Sequence, residues 1–270
     1  MTIKGITLDF FRNYVHLDAR FHPGVNVIYG DNAQGKTNLL EAIAYLSTAS
    51  SHRARYDREL IQFGVDHAFL KGEVAGRDRD FTLEISLHRG ARRQILSNGV
   101  RLKTAGELSG ILNTVLFCPE DLYLIRAGSG ERRQFLDDCI CQLRPRYAAA
   151  LAEYKKLKEH KLRILRDCGE HPDLLDTLDD FSLRMAQCGA ILIHYRAHFI
   201  RRLRETAPAI HAACSGGSEK MELRYETVST VTDPERSPKE LLPQLLEHQE
   251  RHRQAEIDAR LCLSGPHKDD

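Results

Sequence analysis

The segment from residue 25 to residue 46, VNVIYGDNAQGKTNLLEAIAYL, constrains this chain more tightly than any other. Val25, Val27, Ile28 and Tyr29 form a short apolar run bounded by Pro23-Gly24 and Gly30, the pattern of a buried strand. Leu39, Leu40, Ile43, Ala44 and Leu46 then recur at helical spacing. Between them stand Gly30, four residues and Gly35-Lys36-Thr37, the G-x-x-x-x-G-K-S/T spacing of a phosphate-binding loop. Strand, loop and helix in direct succession predict an α/β fold built around a nucleotide site. A glycine turn before an ordinary helix would need none of this fixed spacing.

Each loop position has its own chemical task. The glycines let the backbone come close, and the N–H groups of Gln34, Gly35 and Lys36 can share one concavity at the positive end of a helix. In loops of this kind the lysine ammonium reaches the β and γ phosphates and the following hydroxyl ligates magnesium. The predicted nucleotide-binding set is therefore Gly30, Asp31, Asn32, Ala33, Gln34, Gly35, Lys36, Thr37 and Asn38, with ATP and Mg2+ as cofactors and Thr37 as metal ligand.

Composition narrows the class. With 270 residues and 42% apolar content the chain can bury a real core. No apolar run is long enough to cross a bilayer, and MTIKGITLDF alternates like a strand, so the expected compartment is the cytoplasm, with no membrane partner. The seven cysteines include no C-x-x-C pair, which indicates neither a disulfide framework nor a zinc site. A net charge of +1 means that any surface for nucleic acid must be local.

Along the chain, Ile6, Leu8 and Phe10, then Val15, Leu17, Ala19 and Phe21, predict two half-buried strands joined through Arg12-Asn13-Tyr14. After the loop and its helix, AFLKGEVAG, FTLEISLH and RRQILSNGVRLK, with the hairpin signal Asn98-Gly99, predict an antiparallel meander. A nucleotide kinase or small GTPase would instead continue into parallel βαβ crossovers. TVLFC is a further predicted strand, stopped by Pro119. From residue 131 the apolar spacing turns helical: a start over 131–143, an antiparallel pair over 146–165 and 174–206, and a last helix in LLPQLLEHQERHRQAEIDA. MELRYETV alternates like a strand, and ARLCLSGPHKDD reads as a strand running into a turn. The predicted organisation is an ATPase lobe over 1–122, a mostly helical lobe over 123–255, and a returning segment of the ATPase lobe over 256–270.

Several segments together resemble the RecF family of bacterial DNA replication and repair proteins, relatives of SMC-type and ABC-type ATPases. They are Phe11-Arg12-Asn13-Tyr14, the loop from Gly30 through Ile43, Val115-Leu116-Phe117 with Pro119-Glu120-Asp121-Leu122, Glu131-Arg132-Arg133-Gln134-Phe135-Leu136-Asp137, and Gly265-Pro266-His267-Lys268-Asp269-Asp270. Ser129 stands where that family has a proline, and Lys268 where it has an arginine; serine can still cap the helix that follows. The resemblance implies an α/β, ABC/SMC-type P-loop head, a mixed sheet with an antiparallel meander, joined to a largely α-helical arm. It implies a weak ATPase in the full-length family member, whose signature and acidic strand follow the last motif, so this chain is expected to bind ATP without turnover and to hold no catalytic residue of its own.

By the same resemblance, the partners are duplex DNA and single-strand/double-strand junctions, RecR, RecO and a second copy joined through ATP, in support of RecA loading and the SOS response near the nucleoid. Arg12 matches a position that touches phosphates in related heads, and a surface arginine at a strand end reads equally well there. Arg53 falls in a basic loop after the P-loop helix, with a solvated loop arginine as its alternative. Lys155, Lys156, Lys158, Lys161, Arg163, Arg201 and Arg202 make two helices locally basic and are the expected DNA contacts, set against the bland reading of solvated helix faces. Two rival functions remain open: a metabolic P-loop kinase, and a nucleic-acid-binding module with a vestigial nucleotide site.

Overall fold

Alternating residues give the first hairpin, β1 (Thr2–Phe11) and β2 (Tyr14–Arg20), which pairs antiparallel from Gly5 opposite Arg20 to Phe11 opposite Tyr14. In the computed structural model, which describes residues 1–76 and 78–270 and of Glu120 only the backbone, the chain divides into two units. Met1–Pro119 with Cys141–Pro145 forms the first, and Glu120–Ile140 with Arg146–Asp270 the second.

The first unit is a six-stranded sheet in the order β2-β1-β3-β4-β5-β6, in which β3 is His67–Ala75, β4 Asp80–His88, β5 Gln94–Ser97 and β6 Val100–Arg101. Asn98 and Gly99 both take left-handed φ (50° and 76°), the geometry that closes a two-residue hairpin with the sheet's own twist. Helix α1 (Lys36–Thr48) lays Leu39, Ala42, Tyr45 and Leu46 on a core with Ile6, Leu8, Leu70, Leu83 and Ile85. Arg93 donates to the Ala49 carbonyl at 2.6 Å, a cation at the end of α1 where the helix dipole is negative.

The sheet corrects one expectation. All of its pairings are antiparallel, because the two apolar runs that would add further strands join no ladder among the described residues. Residues 25–29 have no regular secondary structure and are exposed, with Val25 and Tyr29 at 89% and 90%, and Val115 and Phe117 of the TVLFC run are exposed as well. An apolar run fixes a preference for extended backbone, but a strand exists only where a neighbour offers N–H and C=O groups. MELRYETV and the final residues form no ladder either; Glu226 and Asp270 exchange one pair of backbone hydrogen bonds, 2.7 and 2.9 Å.

The second unit holds α2 (Tyr123–Arg126), most of α3 (Ser129–Leu143), α4 (Pro145–Asp167), α5 (Leu178–Cys214) and α6 (Pro238–Ala259). Ser129 is the first residue of α3, not its cap. The expected antiparallel pair is α4 and α5: Tyr147 meets Tyr195, Glu153 bonds Arg184 at 2.5 Å and His160 stacks on Phe181. Helix α6 begins earlier than its apolar spacing suggests, at a capping box in which Ser237 and Glu240 satisfy each other's backbone N–H. It packs Leu241 and Leu245 on Ala186, Ala190 and Ile193 of α5.

Residues 256–270 belong to this second unit, and the division falls at Pro119, not at residue 122. Two buried charge clusters hold them there. Glu256 accepts from the backbone N–H of Leu263 and Ser264 and pairs with Lys161, and Arg196 bonds the Pro266 carbonyl and Asp269. Ser215-Gly216-Gly217 after α5 is a plain turn with left-handed glycines.

Candidate nucleotide-binding site

The loop enters α1 through Gly35, whose φ of 98° lies in the left-handed region that favours glycine. A Cβ there would also lie 2.6 Å from Asn13 Oδ1, so any other residue would have to displace the Asn13 side chain as well as adopt a strained backbone. The hairpin turn between β1 and β2 presses on this point. Tyr14 donates its hydroxyl to the Gly35 carbonyl at 3.0 Å, and Asn38 donates to Asn13 Oδ1 at 2.8 Å. Asn13 and Tyr14 are thus part of the site. Their place in the Phe11–Tyr14 motif was visible in sequence, but not that the turn folds onto the loop.

Residues 30–34 are exposed, and no acidic residue occupies the first turn of α1, so nothing competes with an anion for the helix N-terminus. Lys36 folds back over the loop and donates to the carbonyls of Gly30 and Asp31 at 2.7 and 2.6 Å. Its ammonium has three N–H groups, so one remains for an incoming oxygen, and the others can exchange carbonyl for phosphate. The glycine cradle, open helix end, Lys36 and the exposed Thr37 hydroxyl fit a triphosphate with a divalent ion; Thr37 is the group that would hold the ion.

One turn further along α1, Glu41 is completely buried. Arg12 grips it with two parallel bonds, Nε to Oε2 at 2.9 Å and Nη2 to Oε1 at 2.7 Å, and donates Nη1 to the Glu59 carbonyl at 2.9 Å. Ser51 donates to Oε1 at 2.5 Å, and Arg53 Nη1 lies 3.9 Å from Oε2. Burial pushes the Glu41 carboxyl up, but the hydrogen bonds from Arg12 and Ser51 and the charges of Arg12 and Arg53 outweigh it and hold the group below its ordinary range. Arg53 itself is 41% exposed and donates to Asn38 Oδ1 at 3.2 Å. The structure therefore brings Arg12, Arg53 and the loop together through Glu41, a residue that lies within the Gly30–Ile43 motif but to which the sequence alone attached no task.

The basic positions divide. Lys155, Lys156, Arg163, Arg201 and Arg202 are exposed and Lys158 is partly so. Lys161 is a correction: it is 2% exposed and ion-paired with Glu256 at 2.6 Å, where no DNA phosphate reaches it. Helical spacing groups positions 155, 156, 163 and 166 on one face of α4 but turns 161 inward. Arg201 already bonds Glu235 at 3.0 Å.

The model of the AAA domain matches residues 6–170. The DNA replication and repair protein RecF of Agathobacter rectalis is 40% identical over 274 residues, covering 100% of this chain and 72% of that protein; RecF of Lachnospira eligens is 36% identical over 272 residues with the same coverage. A solved structure of the recombination mediator protein RecF-ATPrS in the RecFOR pathway superposes with a TM-score of 0.92 at 31% identity, over 100% of this chain and 72% of that one. A second, of RecF-ATP, gives 0.88 at 31% identity. With 36–40% identity to these relatives over its whole length, and a TM-score of 0.92 to a solved structure of the same name, the chain belongs to the RecF family of DNA replication and repair proteins.

Proposed function

We propose that the chain binds ATP with Mg2+ at the loop of residues 30–38 and uses that nucleotide to control an assembly on DNA. The observation that carries this reading is the glycine-backed loop at the open end of α1, with Lys36 poised on two carbonyls that phosphate oxygens can replace. Relatives solved with ATP and with ATPrS support it. The family supplies the wider role: contact with gapped or junction DNA, a dimer closed by ATP, cooperation with RecR and RecO, and support of RecA loading and the SOS response. The exposed face of α4 that bears Lys155, Lys156 and Arg163 offers phosphate contacts, which would position DNA without reading its sequence. A metabolic kinase is disfavoured because the chain after α1 turns into an antiparallel meander.

Calorimetry with Mg2+ and ATP tests the nucleotide reading. Lys36→Ala removes one charge-assisted contact of about 1.5–3 kcal/mol and should weaken binding by about 10- to 100-fold. Uptake that is absent from the wild-type chain, or unchanged by the substitution, would refute it. Reversal of Lys155 and Lys156 to glutamate should weaken junction DNA binding and flatten its salt dependence, and an unaltered salt slope removes α4 from the DNA surface.

A further inference from the structure

We infer that Glu41 is a positioning residue that sets Arg53 at the phosphate mouth, so that the site distinguishes a nucleoside triphosphate from a diphosphate. The inference rests on the nucleotide reading above. Glu41 stands four residues after Thr37, on the same face of α1. A carboxylate with no exposed surface persists as a charge only when it is paired and hydrogen-bonded. Its partners come from two other stretches of chain, Arg12 at the end of β1 and Ser51 with Arg53 beyond α1.

The two arginines are held differently. Arg12 uses Nε, Nη1 and Nη2 on protein oxygens, and its own backbone sits at a left-handed φ of 55°, a conformation that costs a non-glycine residue energy. It is a strut between β1, α1 and the 51–59 segment. Among the described residues the Arg53 side chain donates from Nη1 to Asn38 Oδ1 at 3.2 Å, with Nη1 also 3.9 Å from Glu41 Oε2, and keeps most of its guanidinium fork open. Ser51 links Glu41 to it: the Ser51 hydroxyl donates to the carboxylate while accepting from the N–H groups of Arg53 and Ala54 at 3.0 and 2.9 Å. Asn38 adjoins Thr37, the residue that would hold a divalent ion on a bound triphosphate, so Arg53 is anchored beside that end of the loop. Loop amides and Lys36 suffice for a diphosphate; Arg53 adds contact only when the third phosphate is present.

The test compares binding of a non-hydrolysable ATP analogue and of ADP, each with Mg2+, in the intact chain. Glu41→Gln keeps the side-chain shape and removes the charge. Its affinity for the triphosphate should fall about tenfold and its ADP affinity stay within about twofold. Arg53→Ala should reproduce this loss, and the double variant should add little to either. Ser51→Ala, which leaves the Arg12–Glu41 pair intact, should shift the ratio in the same direction by less, and it keeps the inference testable if Glu41→Gln folds poorly. Equal losses for both nucleotides, no loss, or additive losses overturn the role of Glu41 alone. A wild-type chain that binds neither nucleotide overturns the nucleotide reading and this inference with it.

Discussion

Each unit buries a carboxylate against an arginine, and the two do so to different ends. In the second unit Arg196 is 2% exposed and bonds Asp137, Asp269, Tyr147 and the Pro266 carbonyl, while Tyr225 and Thr227 complete Asp269. Burial pushes the Asp269 carboxyl up, and Arg196, Tyr225 and Thr227 only partly draw it back. In the first unit Glu41 is equally buried, but Arg53 beside it reaches solvent with its fork largely unused. A saturated guanidinium fastens chain segments together, whereas one held at a single edge is left able to take an anion.

The contrast is most open to attack in the second unit. Arg196→Met leaves Asp137 and Asp269 buried without their cation and should cost about 3–5 kcal/mol, read as an earlier urea transition of the intact chain. A loss below about 1 kcal/mol would show that the closed cluster is not a fastener. Next comes acid. His267 accepts from the Tyr154 hydroxyl at Nδ1 (2.8 Å) and donates from Nε2 to the Cys262 carbonyl (3.1 Å), an arrangement of the neutral ring. Burial lowers its pKa from 6.5 to about 4. Between those values the unfolded chain takes up a proton that the folded one refuses, so stability is lost as pH falls through the window, by about 3 kcal/mol at its lower end. His267→Gln, which still accepts and donates, should flatten this slope in denaturation measured from pH 7 to pH 4. The smallest effect sharpens the other half of the comparison: Arg53→Ala should change stability by less than about 0.5 kcal/mol while it weakens triphosphate binding. A large loss of stability would make Arg53 a second fastener.

Much of this was legible in the chain. The phosphate loop, its helix, the Asn98-Gly99 hairpin and the α4–α5 pair follow from signals a few residues apart: a spacing, a turn dipeptide, a period of three or four. The start of α6 was equally local, since Ser237 and Glu240 spell a capping box, but its apolar stripe begins later and drew the boundary inward. Less legible was the fate of residues 25–29 and 114–118. Their apolar composition is that of strands, yet strand formation depends on a partner edge that no local pattern encodes. Lys161 illustrates the same limit for charge: in sequence it is one lysine of a basic run, and only the approach of Glu256 turns it inward.

By itself the sequence determined the chemistry of the loop, because phosphate binding needs glycine, lysine and a hydroxyl at fixed covalent separations, and those are written in the order of residues. Tertiary structure alone decided which charges are spent and which are available. That Glu41 gathers Arg12, Ser51 and Arg53, and that Asp137 and Asp269 consume Arg196, follows from chain segments far apart in sequence meeting at hydrogen-bond distance. The energy of an ion pair depends on separation in space and on exclusion of water, and neither is a property of a residue's position along the chain.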